Sequence, residues 1–150
     1  MSDPIISYSA KLSKLETYKD IDEIFGGTCT ISEPIQIDLR IWNNRYGTVA
    51  VDNLEDFVLN LYFDKYEDGS LLKYITIERV GIEELSVDIN GQIATASFLN
   101  TVSIKGTPND GSDSNTDNYI NLRITFNVTD SDVTFKNNDF KSLYIDIIKQ

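Results

Sequence analysis

The amino-acid sequence predicts an all-β domain, an antiparallel sandwich of two sheets with about seven or eight strands. Two observations predict this class. The chain of 150 residues contains 19 Ile, 8 Val and 12 Thr but only 4 Ala, and β-branched residues crowd a helix but fit a pleated sheet. Apolar and polar residues also alternate in most segments, leaving no room for crossover helices. Parallel architectures are therefore excluded, and an immunoglobulin-like sandwich, a jelly roll or a small barrel remains.

The first 27 residues differ from the rest of the chain, because their apolar residues recur at spacings of three and more. This spacing predicts a short amphipathic helix over residues 11–24, ended by Gly26-Gly27. We therefore divide the chain into an N-terminal arm, residues 1–27, and a β-sandwich domain, residues 28–150. Such an arm either docks on its own domain or reaches a neighbouring subunit. Its candidate interface residues are Ile5, Tyr8, Leu12, Leu15 and Phe25.

From residue 31 onward the sequence has the period of a strand with one side in a core. Residues 35–41 and 57–63 alternate in this way, and residues 120–128 do so over nine positions, which predicts a central strand. Residues 143–148 have apolar side chains on both faces. The predicted core residues are Ile37, Leu39, Phe57, Leu59, Leu61, Ile93, Leu122, Ile124, Phe126 and Ile145.

Two turn signals predict hairpins between these strands. Asp68-Gly69 lies between residues 57–63 and 71–80, and Asn90-Gly91 lies between residues 87–89 and 92–98. Asn-Gly tolerates a positive φ at both corners of a type I′ turn, so the second hairpin is the stronger prediction.

The net charge limits the classes of partner. With 13 basic and 24 acidic residues the formal charge is −11, and such a surface repels phosphate backbones and anionic lipid headgroups. Direct binding to nucleic acid or membrane is therefore not expected. A hydrophobic content of 41% is too high for a disordered acidic chain, so the charge belongs to the surface of a folded domain.

Residues that carry out catalysis are scarce. The chain has no His, so a Ser-His-Asp triad, a Cys-His pair and histidine-based metal sites cannot form within one subunit. The single Cys29 has no basic neighbour and is interpreted as a packing residue. Carboxylates are abundant, but their clusters are typical of solvated faces rather than of a glycosidase pair. We expect no enzymatic activity and no cofactor. The N-terminus also lacks a signal-peptide pattern, so synthesis and assembly in a cytoplasm are expected.

Two further groups of residues could form binding sites. The loop of residues 107–118 is rich in oxygen atoms that could bind a cation. Within it, Asp113, Asn115 and Asp117 have the alternate spacing that suits calcium. A surface loop that serves as a contact element is the simpler interpretation. Aromatic residues could form a platform for sugar rings, or they could cover the outer side of a sheet or an interface. These aromatics are Trp42, Tyr46, Tyr62 and Tyr66.

Four segments carry a resemblance to a known class of proteins: IWNNRYG at 41–47, NLEDFVLNLYF at 53–63, LLKY at 71–74 and KNNDFKSL at 136–143. With these segments the chain resembles virion structural proteins of tailed bacteriophages. The resemblance implies a non-enzymatic β-sandwich subunit, either a capsid accessory or decoration protein or a collar or tail component. It also implies many copies in a virion assembled in the host cytoplasm, with other virion proteins as partners. The alternative is a carbohydrate-binding or receptor-recognition module that uses the aromatic residues.

Overall fold

A computed structural model describes residues 1–12, 17–20, 24–26, 35–129 and 141–150. In this part of the chain there are thirteen strands in three sheets, and every pairing between named strands is antiparallel. The predicted all-β, sandwich-like fold is thereby confirmed. Eight of the strands are five residues or longer. The others have only two or three residues, which is too few for alternation to reveal them.

The first sheet has six strands in the order β2-β1-β4-β12-β7-β8, with β4 and β12 at its centre. The prediction of a central strand near residues 120–128 is confirmed, because β12 pairs with both β4 and β7. The bounds of these strands are β1 Ile6–Leu12, β2 Lys19–Asp20, β4 Ile35–Asn43, β7 Ile75–Arg79, β8 Glu83–Glu84 and β12 Tyr119–Phe126.

The second sheet has five strands in the order β3-β13-β6-β10-β9, and a third sheet pairs β11 with β5. The bounds of the strands in the second sheet are β3 Ile24–Gly26, β6 Phe57–Phe63, β9 Ser86–Asn90, β10 Ile93–Ser97 and β13 Lys141–Lys149. Those in the third are β5 Leu54–Glu55 and β11 Ser103–Ile104. Short 3-10 helices span Tyr66–Tyr74 and Thr116–Asn118. Within the described residues no helix has the length and apolar content that crossing a membrane requires.

The core lies between the two large sheets and contains alternate apolar residues of β4, β6, β12 and β13. Nine of the ten predicted core residues belong to it, and the prediction for Ile93 is wrong, since this side chain is 42% exposed. The inward positions of β10 are instead Ala94 and Ala96, both fully buried opposite Leu61 and Leu59 of β6. A one-residue difference in register exchanges the two faces of a strand, which explains the error.

The hairpin near Asn90 is confirmed, but its turn is not type I′. Asn90 pairs with Ile93, so the corner residues are Gly91 and Gln92, and only Gly91 has a positive φ, of 62°. A glycine at the first corner with an ordinary second corner is typical of a type II′ turn.

The hairpin predicted at Asp68-Gly69 is wrong. The chain forms the 3-10 helix Tyr66–Tyr74 there and crosses from β6 in one sheet to β7 in the other. Leu71 and Leu72 are both buried. Because successive residues of a strand face opposite sides, two consecutive buried leucines fit a helical crossover better than a solvated hairpin strand.

The helix predicted over residues 11–24 is also wrong wherever the structure describes that segment. β1 pairs with β4 over seven residues, from Ile6 opposite Asn43 to Leu12 opposite Ile37. β2 extends the same sheet, while β3 pairs with β13 in the other. Ile6, Tyr8, Ala10 and Leu12 have the period of a strand, which the wider spacings further along the arm concealed. Leu15 and Cys29 lie outside the described residues.

Candidate functional site

The outer face of the six-stranded sheet is charged, and its charges are paired. Arg123 donates from Nε to Asp38 Oδ1 at 2.9 Å, and its Nη1 lies 3.7 Å from Glu78 Oε1. The hydrogen bond to Asp38 raises the pKa of the Arg123 guanidinium. Arg40 donates to Asn121 Oδ1 at 3.0 Å and to Asp113 Oδ1 at 2.7 Å. Of the ten outward residues on β4, β7 and β12, four are charged.

Aromatic rings cover the neighbouring part of this face. The Arg40 guanidinium carbon lies 4.1 Å from the centre of the Tyr18 ring and 4.2 Å from that of Tyr119. Trp42 packs against Tyr119 with ring centres 4.6 Å apart, donates to Ser9 Oγ at 3.3 Å and is fully buried. Trp42 is therefore a structural residue of this sheet, because its ring is not accessible to a ligand.

The outer face of the five-stranded sheet has a different chemistry. Its three central strands β6, β10 and β13 present ten side chains, of which only Asp146 is charged. We name this surface the tyrosine face. It consists of Val58, Asn60, Tyr62, Ile93, Thr95, Ser97, Ser142, Tyr144, Asp146 and Ile148.

Cross-strand pairs organise the tyrosine face. Tyr62 and Tyr144 are opposite each other and stack with ring centres 5.5 Å apart at an interplanar angle of 14°. The pKa of the Tyr62 phenol is raised, mainly by partial desolvation and to a lesser extent by the neighbouring Asp146 carboxylate. This phenol therefore stays neutral. Ile93 and Ile148 remain 42% and 40% exposed. Stacked rings beside exposed isoleucines are a surface that favours contact with another protein.

A second distinctive region lies at one end of the sandwich, which we name the loop end: residues 1–5, 44–53 and 105–118. Asn43, at the end of β4, is fully buried and holds these segments together. Its amide donates to Asp52 O at 2.9 Å and to Ile104 O at 3.0 Å, and its Oδ1 accepts the Ile5 N–H at 3.0 Å.

Three further asparagines extend this arrangement. Asn44, with a positive φ of 58°, donates to Val49 O and Gly106 O, both at 2.9 Å. Asn118 donates to the carbonyls of residues 105 and 107 at 2.9 Å, and Asn109 donates to Asn44 O at 2.8 Å. These amides satisfy backbone groups that have no strand partner, which fixes the loops. Sequence reasoning missed them, and the available signal was an Asn pair directly after a long strand, where a positive φ is tolerated.

The structure gives the three residues considered for calcium different surroundings. Asp113 binds Arg40, Asn115 turns its amide donor to Ser112 O at 3.0 Å, and Asp117 is exposed. Among the described residues, no group of three His, Cys, Asp or Glu side chains could hold a metal ion. The loop is instead folded on itself, with Ser112 donating twice to the carboxylate of Asp110.

The predicted interface residues do not share one surface. Trp42 is buried on the six-stranded sheet, Tyr62 lies on the tyrosine face, and Tyr46 is 59% exposed at the loop end. Ile5 is also exposed at the loop end, whereas Tyr8 packs against the core and burial raises its pKa to about 12. The backbones of Leu12, Phe25 and Tyr66 are described but their side chains are not.

Two surface cavities do not match a catalytic pair of carboxylates. One of about 530 Å³ is lined by a single carboxylate, Asp56. The other, of about 340 Å³, is lined by Glu78 and Glu84, which are opposite each other on β7 and β8 and both exposed. Exposure leaves both carboxylates solvated, and Arg123 lies beside them.

The chain matches no protein-family model, no curated protein and no solved structure. Its functional interpretation therefore depends on the chemistry of the tyrosine face and the loop end.

Proposed function

We propose that the chain is a non-enzymatic structural subunit of a phage particle, a capsid accessory or decoration protein that binds other virion proteins through its tyrosine face. The observation that carries this proposal is the near absence of charge on that face. One of its ten side chains is charged, on a chain whose net charge is −11. The phage assignment itself comes from the resemblance of segments such as IWNNRYG to virion structural proteins.

The composition of the tyrosine face fits a protein interface better than a solvated surface. The cores of interfaces are depleted in charged residues and enriched in tyrosine, and tyrosine provides large contact area at low cost in conformational entropy. The outer face of the other sheet provides an internal comparison, since four of its ten outward residues on the central strands are charged. The difference between the faces indicates that only one of them is adapted to be covered.

Asp146 restricts the chemistry of the partner. It pairs in register with Asn60 near the middle of the tyrosine face. Covering a carboxylate without pairing it costs several kcal/mol, so a partner that buries this face needs a Lys or Arg opposite Asp146. We therefore propose a basic patch on a larger shell protein as the partner, present in many copies. The net charge of −11 would also steer the free subunit towards such a patch.

A collar or tail component is the alternative location for the same subunit, because the tyrosine face would serve equally well there. A carbohydrate-binding or receptor-recognition module is less favoured. Its proposed platform needed Trp42, Tyr46 and Tyr62 on one surface, whereas Trp42 is fully buried and Tyr62 lies on the other sheet.

Incorporation into particles tests the proposal. We would produce particles in cells that express the chain and measure it by mass spectrometry in purified particles and in the free protein fraction. Ile93→Lys places a cation on the tyrosine face, where it would repel the basic partner and block close packing. Ile82→Lys is the matched control, since Ile82 is 58% exposed in the turn between β7 and β8, away from that face.

We expect the natural chain and Ile82→Lys in particles and at least a tenfold loss of Ile93→Lys, a factor that corresponds to about 1.4 kcal/mol. Absence of the natural chain from particles would overturn the structural-subunit proposal. Equal incorporation of the two variants would exclude the tyrosine face as the contact surface.

A further inference from the structure

The two large sheets have four edge strands, and one of them differs from the others. β2 and β8 lie at the edges of the six-stranded sheet and have two residues each, and β3, at one edge of the five-stranded sheet, has three. β9, at the other edge of that sheet, has five residues, Ser86–Asn90. Proteins commonly keep edge strands short or protect them with Lys or Pro, because an open edge can pair with another chain. β9 contains neither of these residues.

The backbone groups on the open side of β9 follow from its register with β10. Asn90 and Ile93 close the hairpin across a two-residue turn, so they form a hydrogen-bonded pair. Bonded and non-bonded pairs alternate along an antiparallel ladder, which makes Asp88 bonded to β10 and leaves Val87 and Ile89 in non-bonded pairs. The N–H and C=O groups of Val87 and Ile89 therefore point away from β10. Within the described part of the chain β9 pairs only with β10, and these four groups have no partner there.

The side chains of β9 also leave part of this edge uncovered. Val87 and Ile89 are opposite Ala96 and Ala94, so they lie on the inner side of the sheet. Val87 packs against the core, whereas Ile89 remains 45% exposed, although Ala94 opposite it is fully buried. Asp88, between them, lies on the outer side and is exposed. A strand added at this edge would cover Ile89 on one side and place a side chain opposite Asp88 on the other.

A second copy of β9 fits this edge poorly. The antiparallel pairing that uses all four free groups of both copies places Val87 of one copy opposite Ile89 of the other. It also places the two Asp88 side chains directly opposite each other, where like charges destabilise a sheet. Each copy carries a net charge of −11, so the two chains also repel each other as a whole. The charge at this edge therefore favours a basic strand over a second copy.

We propose that the open edge of β9 binds one strand of a partner protein in antiparallel orientation, with a Lys or Arg of that strand opposite Asp88. Hydrogen bonds to Val87 and Ile89 would provide affinity for an extended backbone, and the side chains opposite β9 would provide specificity. A cationic side chain between two apolar ones matches the order Val87-Asp88-Ile89. The site is independent of the proposed contact through the tyrosine face, because it consists of backbone groups at the edge of the sheet.

Hydrogen exchange and an NMR titration of the ¹⁵N-labelled chain test this site. The probe is the peptide acetyl-Thr-Val-Lys-Val-Thr-amide. One control peptide has Glu in place of Lys. Another keeps the side chains but carries N-methyl groups on both valines, which removes the two N–H groups that would bond to β9. Asp88→Lys reverses the charge at the centre of β9, and Asp3→Lys is the matched control, because Asp3 is exposed and precedes β1 of the other sheet.

In the free chain we expect the amide of Asp88 to exchange slowly and those of Val87 and Ile89 to exchange rapidly. The Lys peptide should give saturable shifts at residues 86–90 and slow the exchange at Val87 and Ile89, whereas the N-methylated peptide should do neither. Asp88→Lys should weaken binding of the Lys peptide about two- to fivefold and strengthen binding of the Glu peptide. Asp3→Lys should have little effect on either.

Slow exchange of the Val87 and Ile89 amides in the free, dilute chain would overturn the proposal, because the edge would then already be covered. Protection that appears without peptide as the protein concentration rises would assign the edge to a second copy and would also overturn it. The same conclusion would follow from the absence of saturable shifts, from equal binding of the Lys and N-methylated peptides, or from equal effects of Asp88→Lys and Asp3→Lys.

Discussion

Replacing Asn43 with Asp should make the stability of the protein depend on pH in a defined direction. The two side chains have nearly the same shape, but the carboxylate has no N–H to donate. It would face the carbonyls of Asp52 and Ile104, which now accept from the amide at 2.9 and 3.0 Å, in a site with no exposed surface. Asn43→Asp therefore removes two donors and adds a buried charge without creating a cavity.

The magnitude follows from the groups left without partners. Each buried carbonyl that loses its hydrogen bond costs about 1–3 kcal/mol, so the loss is about 2–6 kcal/mol while the new carboxyl group is ionised. This is a large part of a typical unfolding free energy of about 5–15 kcal/mol. When the group is protonated it donates one hydrogen bond again, and the loss falls to about 1–3 kcal/mol.

The sign of the pH dependence is fixed by burial. Desolvation and the two carbonyls should raise the folded-state pKa of the new carboxyl group above its unfolded value of about 3.9. The loss of stability relative to the natural chain is then smallest below that unfolded value. It grows as the pH rises through the folded-state pKa and is constant above it.

Urea unfolding followed by Trp42 fluorescence would measure the effect at about pH 3 and about pH 7. Asn127→Asp is the control, because Asn127 is exposed and the substitution adds the same charge. If Asn43→Asp destabilised the chain no more than Asn127→Asp, or by the same amount at both pH values, the role assigned to the buried amide would be wrong.

Two other predictions concern the β9–β10 hairpin and are tested by urea unfolding at neutral pH. Gly91→Ala should destabilise the protein by about 1–2 kcal/mol, because φ at this corner is 62°. Asn90→Ala, at the neighbouring position, should cost less than about 0.5 kcal/mol. An equal cost at both positions would support a type I′ turn instead. Ala96→Leu should lower the free energy of unfolding by about 1–3 kcal/mol, because it overpacks the fully buried inner side of β10. Thr95→Leu, on the outer side of the same strand, should lower it by less than half as much. Equal losses at the two positions would contradict the assigned register.

The sequence predicts a strand well where alternation continues over many residues. β4 and β12, at the centre of the six-stranded sheet, have seven or more alternating positions, and both were predicted. In such a strand many positions indicate which face is buried, so one residue that breaks the alternation does not change the predicted face. β10 has five residues, and there the apolar Ile93 suggested the wrong face, although two small alanines fill the space opposite Leu59 and Leu61.

The loop end could not be predicted in the same way. Asn43 and Asn118 are polar residues, and composition alone assigns them to the surface. Their burial depends on carbonyl groups far away in the chain, such as Ile104 O, which lies 61 residues from Asn43. A hydrogen bond between an amide and a distant backbone leaves no periodic pattern. The tyrosine face was visible in the sequence only as an excess of aromatic residues, because register decides which of them share a surface.

A partner that covers the tyrosine face leaves the loop end exposed. The tyrosine face consists of the outward side chains of β6, β10 and β13, whereas the loop end lies beyond the last residue of β4 and the first of β12 in the other sheet. Charged residues on the outer face of that other sheet form ion pairs within the chain, such as Arg40 with Asp113 and Arg123 with Asp38. A partner of the tyrosine face needs a cationic group, since that face has an exposed carboxylate, Asp146. A subunit bound to a shell by the tyrosine face would therefore keep the loop end exposed, and a Tyr46→Asn variant would keep its place in the particle, whereas Ile93→Lys would lose it.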